Sequence, residues 1–325
     1  MNGRVSTSRA ARRGGFTLIE LLVVISIIAL LISILLPSLS RAREQAKLVA
    51  CQSNISTVGK VLLTYLFDLD QLPLFATRDE SGNVLGFASW AYGGWSGRNR
   101  EFWADEAPWG NVQTSERPLS VYALNGGSYT DQENLAPPGE DPNTYPTQEV
   151  PYYRCPSDTL SAQWQWNANN QNSTQLSAYD DVGTSYQLNF SWFPQAKALP
   201  DPPGLDQDEL FAYHAGTVGA RIFRGQMNRH ASRFASLFED PCDFGLNVGT
   251  DSGEPGIQTM GFHGRFSKHV AAFLDGHASY LKMDTRHLHD SLYNPPGPRH
   301  DALGSMGRWT TIDEALPHTS SGRHQ

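Results

Sequence analysis

The sequence predicts an α+β protein. One long N-terminal α-helix, transmembrane in its first half and amphipathic in its second, packs on a mostly antiparallel β head with long loops. Three observations carry this. An apolar run of 21 residues extends from Phe16 to Leu36. Leu48, Cys51, Ile55, Val58, Leu62 and Tyr65 then recur at alternating spacings of 3 and 4, the stripe of a helix with one buried face. Beyond residue 70 this period stops, and short strand-like runs separated by Gly, Pro and Asn take over.

The chain divides into a basic leader over 1–15, a membrane helix over 16–36 and an amphipathic helix over 37–70. A β-rich head over 71–293 and a Pro/Gly-containing tail over 294–325 follow. In the apolar run only Thr17, Glu20, Ser26 and Ser33 are not apolar, and as a helix it spans ~30 Å, the thickness of a bilayer's hydrocarbon core. Pro37 closes the run without ending the helical pattern, so one helix of ~80 Å is expected from about Phe16 to Phe67. A cleaved secretory signal would end at small residues such as Ser38-Leu39-Ser40, but this run is longer than such signals carry.

Strands are expected at Val84–Ala91, Ser185–Trp192, Val218–Arg224 and Phe234–Phe238. The clearest hairpin is His269–Met283, with Asp275-Gly276 as a type I′ turn because both central positions need positive φ. The stretches 135–151, 163–181 and 201–209 read as polar surface loops.

Charge limits the partners. The leader holds Arg4, Arg9, Arg12 and Arg13 and no acid, so losing its four positive charges takes the formal net charge from −8 to −12. An acidic chain of this kind lacks the basic surface that nucleic acid requires.

The segment Gly15-Phe16-Thr17-Leu18-Ile19-Glu20-Leu21-Leu22-Val23-Val24-Ile25 resembles the prepilin cleavage and methylation signal of type IV pilins and type II secretion pseudopilins. The resemblance implies cutting between Gly15 and Phe16 by a prepilin peptidase on the cytoplasmic face, then N-methylation of Phe16. Glu20, at the fifth mature position, would neutralise the Phe16 amine of a neighbouring subunit during assembly. It further implies a structural subunit rather than an enzyme, a single-pass inner-membrane protein with a cytoplasmic leader and an extracytoplasmic head. Its partners would be other pilin or pseudopilin subunits, the assembly platform and inner-membrane lipid.

Arg41-Ala42-Arg43-Glu44, Cys51-Gln52-Ser53-Asn54-Ile55, Tyr153-Arg154-Cys155-Pro156-Ser157-Asp158 and Ser185-Tyr186-Gln187-Leu188-Asn189 resemble the head of large bacterial pilin-like proteins. Those proteins end in a His-x9-Asp-Gly motif. Here eleven residues separate His263 from Asp275-Gly276.

The head offers few chemical motifs. Cys51, Cys155 and Cys242 lack the close paired spacing of a zinc or iron–sulfur site. A Cys51–Cys155 bridge would pin the helix to the head, with Cys155–Cys242 the competing pair. His263, His269 and Asp275 could supply a three-ligand metal site of a hydrolase, against which a structural role is favoured, so no cofactor is expected. Glu239, Asp240, Asp243, Asp251 and Glu254 read as a solvated acidic run, with calcium the alternative. Trp90, Trp95, Trp103 and Trp109 read as packing residues, with a glycan-binding face on a membrane-anchored protein as the alternative.

Overall fold

The structure, a computed structural model, describes residues 18–74, 77–78, 84–86, 88–95, 114–123, 150–162, 176–190, 192, 199–247 and 257–283. Gly15, Phe16, Trp103, Trp109, Asp251, Glu254 and the tail from residue 284 lie outside the described residues. Two compact units result, residues 1–46 and residues 47–325.

Helix α1 runs unbroken over Leu18–Leu69, through Pro37. In the first unit its side chains are exposed on all sides. In the second unit its buried residues are Cys51, Ile55, Val58, Gly59, Leu62 and Leu66, with Leu48 and Tyr65 partly buried beside them. The predicted stripe is therefore the packed face. Each such aliphatic side chain removed from water contributes about 1.5–3 kcal/mol.

After α1 come the short strands β1 (Thr77–Arg78) and β2 (Val84–Gly86), an antiparallel pair. The main sheet is antiparallel throughout and ordered β3-β4-β5-β6: β3 Tyr186–Leu188, β4 Ala235–Glu239, β5 Lys268–Phe273 and β6 Ala278–Lys282. Its register pairs Gln187 with Phe238, Phe238 with Ala271, and Val270 with Tyr280. Alternate residues of a strand point to opposite faces. Accordingly Val270 and Ala272 join Leu237, Tyr186 and Leu188 in the core shared with α1. Ala271 and Phe273 join Ala235, Phe238, Cys242 and Met283 in a smaller second core. Gly59 permits the helix to approach the sheet, since a Cβ there would lie 3.2 Å from the Ala272 Cβ. Ser56 Oγ donates to the Gly276 carbonyl at 2.7 Å nearby.

Four expectations are corrected. Val218–Arg224 is helical, within a π-helical turn Tyr213–Val218 and the α-helix Gly219–His230. A short apolar run does not distinguish strand from helix by itself, and here Val218, Ile222 and Phe223 present one buried side. The polar stretch 201–209 contains a helix start: Asp206 and Glu209 form a reciprocal capping box at the helix Gln207–Ala212, which satisfies two otherwise unpaired backbone N–H groups.

The β5–β6 hairpin forms as expected, but its turn is not type I′. Gly276 has φ 85° and Asp275 is not in the left-handed region. Gly276 N–H donates to the Phe273 carbonyl at 2.9 Å, and Phe273 N–H to the His277 carbonyl at 2.9 Å. This is a three-residue loop whose left-handed glycine follows the turn.

Finally, Glu239, Asp240 and Asp243 are buried rather than solvated. Asp240 accepts hydrogen bonds from Gln187 Nε2 at 2.8 Å and the Ala162 N–H at 2.6 Å, and Asp243 accepts from Ser89 Oγ at 3.0 Å. Those bonds replace lost water.

Candidate functional site

Two places in the chain carry features that packing alone does not explain. One is the exposed part of α1. This helix is long and apolar enough to cross a membrane. Glu20 is the one charged residue between Leu18 and Leu36 and sits in the first turn, where the helix dipole favours a carboxylate. Ser26 and Ser33 hydroxyls donate to the Leu22 and Leu30 carbonyls, each at 2.7 Å. Both polar side chains are thus satisfied within the helix, as an apolar solvent demands. Gly15 and Phe16, the predicted cleavage pair, lie outside the described residues.

The second place is a buried cluster in the head. Cys51 reaches it from the packed face of α1. Cys155 follows the 3-10 turn Pro151–Tyr153. Glu239 ends β4 directly opposite Tyr186 of β3, and His263 lies in the segment before β5. Their donor atoms all fall within 4.8 Å of one another.

The surroundings hold these groups in place. Asn54 Nδ2 donates to the Arg154 carbonyl at 2.8 Å, tying the 154–158 segment to α1. Cys155 N–H donates to Ser185 Oγ at 2.9 Å, and Ser185 Oγ donates to Asp158 at 2.6 Å. Asp158 also accepts the Ala178 and Tyr179 N–H groups, each at 2.9 Å. Burial pushes the Asp158 carboxyl up to about 6 despite these bonds. The Tyr186 hydroxyl lies 3.3 Å from Cys51 Sγ.

The two thiols differ. Burial, then the neighbouring Cys155 and Glu239, push the Cys51 thiol well up. Burial also opposes ionisation of Cys155, but hydrogen bonds from Cys51 and His263 leave its thiol below the usual value.

Of the residues singled out in the sequence, the structure brings Cys51 and Cys155 together as free thiols, while Cys242 belongs to the second core. His263 Nε2 and His269 Nδ1 both face Glu239, at 3.5 and 3.6 Å. Asp275 instead bonds His277 at the hairpin tip and is not among the clustered donors. Glu239 is the member that sequence reasoning placed elsewhere, in a solvated run. Its position at the end of an apolar strand was the available signal.

Trp90 and Trp95 are buried, and Trp95 Nε1 donates to the Tyr179 carbonyl at 2.6 Å. Neither presents a ring to a glycan.

The fold and the apolar helix describe a single-pass, membrane-anchored chain with a small α+β head. Residues 10–36 match the family model of the prokaryotic N-terminal methylation motif. The competence protein ComGC of Halalkalibacterium halodurans is 33% identical over 61 residues, covering 19% of this chain and 60% of that protein. The chain therefore spans less than two thirds of that relative's length. No solved structure matches. What the chain shares with known proteins is thus confined to its N-terminal part: the methylation motif over residues 10–36 and a 61-residue likeness to ComGC.

Proposed function

We propose that the protein is a pilin or pseudopilin subunit, delivered through the inner membrane and assembled by its N-terminal helix. The leader, residues 1–15, stays cytoplasmic until a prepilin peptidase cuts after Gly15, and Phe16 is then N-methylated. Residues 16–36 hold the subunit in the bilayer with the head on the extracytoplasmic side. On assembly the helices leave the lipid and pack together, and Glu20 neutralises the Phe16 amine of a neighbour.

The observation that carries this reading is the contrast within α1. Residues 18–36 are apolar on every side and exposed, with a single carboxylate near the start. Such a surface requires a lipid or helix-bundle environment. A carboxylate placed in it costs up to ~2.5–3.5 kcal/mol at bilayer centre, less near an end, and a neighbouring cation offsets that cost. Either a pilus or a secretion pseudopilus would use the subunit in this way.

The test is intact mass and N-terminal sequencing of the protein from native membranes, paired with Glu20→Ala. A chain beginning at N-methyl-Phe16 is expected. The variant is expected to be cut and membrane-inserted normally yet absent from sheared filaments. A chain starting near Arg41, or full incorporation of Glu20→Ala, would overturn the reading.

A further inference from the structure

The four buried donors of the head come from separate stretches of chain, and the distances between them are informative. Cys155 Sγ to His263 Nε2 is 3.6 Å, His263 Nε2 to Glu239 Oε1 is 3.5 Å, and Cys51 Sγ to Glu239 Oε1 is 3.8 Å. A direct N–H···O bond between imidazole and carboxylate would bring the heavy atoms to about 2.7–3.0 Å. The 3.5 Å between His263 and Glu239 instead matches an edge of a ligand tetrahedron, and the two sulfur separations, which are also hydrogen-bond lengths for a thiol, fall in the same range. With zinc–sulfur bonds of about 2.3 Å and zinc–nitrogen or zinc–oxygen bonds of about 2.0–2.1 Å, such edges are about 3.3–3.8 Å.

Glu239 is oriented for this arrangement. Its Oε2 accepts the Phe262 N–H at 3.3 Å and lies 3.6 Å from His269 Nδ1. Oε1 is left facing the two sulfurs and His263. An outer partner that fixes a ligating carboxylate is a regular feature of metal centres. The side chains of Cys51, Glu239 and His263 are also closed off from water, with Glu239 at 0% and His263 at 5% exposure. A buried carboxylate without a compensating positive charge is costly, and a divalent ion supplies that charge.

We propose that Cys51, Cys155, Glu239 and His263 form a structural zinc site. Four protein donors leave no open position, which distinguishes a structural from a catalytic centre. Two thiolates and a neutral imidazole suit zinc among the divalent ions. On binding, each thiol releases its proton to solvent and the imidazole stays neutral. The ion ties α1, the segment after the 3-10 turn, the end of β4 and the approach to β5 into one point. A head whose strands are only two to six residues long gains folding free energy from such a cross-link.

The rival use of the same atoms is a Cys51–Cys155 disulfide, which would leave the convergence of Glu239 and His263 unexplained. The experiment uses full-length protein extracted from native membranes in detergent, without reductant or chelator. Elemental analysis is expected to give about one zinc per chain, and all three cysteines are expected to titrate as thiols after denaturation with chelator. Cys155→Ser is expected to lose the zinc. Because that variant could misfold, wild-type protein stripped of metal is also loaded with Co²⁺ alone. Thiolate charge-transfer and tetrahedral d–d absorption bands are then expected. Folded protein that carries no zinc and takes up no Co²⁺ would overturn the proposal, as would a single titrating thiol, which would identify the disulfide.

Discussion

The two ends of α1 solve opposite problems with similar residues. Leu30, in the first unit, is 62% exposed, whereas Leu62, in the second, is 0% exposed. Both are leucines in one unbroken helix. The first segment carries apolar residues around its whole circumference, so no face is reserved for the protein's own core. The second spaces them three and four apart, and that face meets Leu237 and Ala272 of the sheet. The comparison teaches that apolar content alone does not mark a core; the period does. The same contrast holds for polar groups. Between residues 18 and 36 there is a single charge, Glu20. The head instead buries Asp158, Asp181, Glu239, Asp240, Asp243 and Arg117, several of them with explicit hydrogen-bond partners.

The largest expected effect comes from Gly183→Ala in the head. Gly183 ends the helix Ala178–Val182 at φ 90°, and a Cβ there would lie 1.7 Å from the Trp95 carbonyl oxygen. The left-handed conformation alone costs about 1–3 kcal/mol for a residue with a Cβ, and the overlap adds to it. Loss of folded protein is expected, read as protease sensitivity of the head; a wild-type melting curve would show that Trp95 moves aside freely.

Leu62→Ala and Leu30→Ala then test the contrast directly. The first is expected to destabilise the head by about 2–5 kcal/mol through the cavity it leaves. The second is expected to change head unfolding by no more than about 0.5 kcal/mol. Equal effects in thermal melts of the detergent-solubilised protein would erase the distinction between the two segments.

A further expected effect is in pH dependence. With Asp158 held up at about 6 against 3.8 in the open chain, the folded state binds its proton more tightly. Its contribution to stability is therefore full below pH ~4 and is lost as pH rises through ~6. Asp158→Asn is expected to remove that downward slope relative to wild type. A carboxyl resonance of Asp158 titrating near 4 would contradict the assignment.

Part of this molecule is readable without coordinates because its information is local. The cleavage-like segment, the 3-and-4 stripe from Leu48 to Tyr65, and the β5–β6 hairpin each depend on residues close in sequence. Two strand runs, around Tyr186 and Ala235, follow from aromatic and leucine content in the same way. Val218–Arg224 failed because seven residues of mixed apolar character fit either period, and packing against Trp192 decided for helix. The turn at Asp275-Gly276 was placed correctly but typed wrongly, since loop length depends on where strand pairing stops.

The cluster of Cys51, Cys155, Glu239 and His263 was not legible at all as a unit. Sequence determined that an exposed apolar helix precedes an amphipathic one, because side-chain periodicity is written residue by residue. Only the tertiary structure decided that four donors far apart along the chain meet at one buried point. Their meeting depends on strand register, a close helix–sheet approach at Gly59, and the turn that carries Cys155. None of those is encoded in the spacing of the donors themselves.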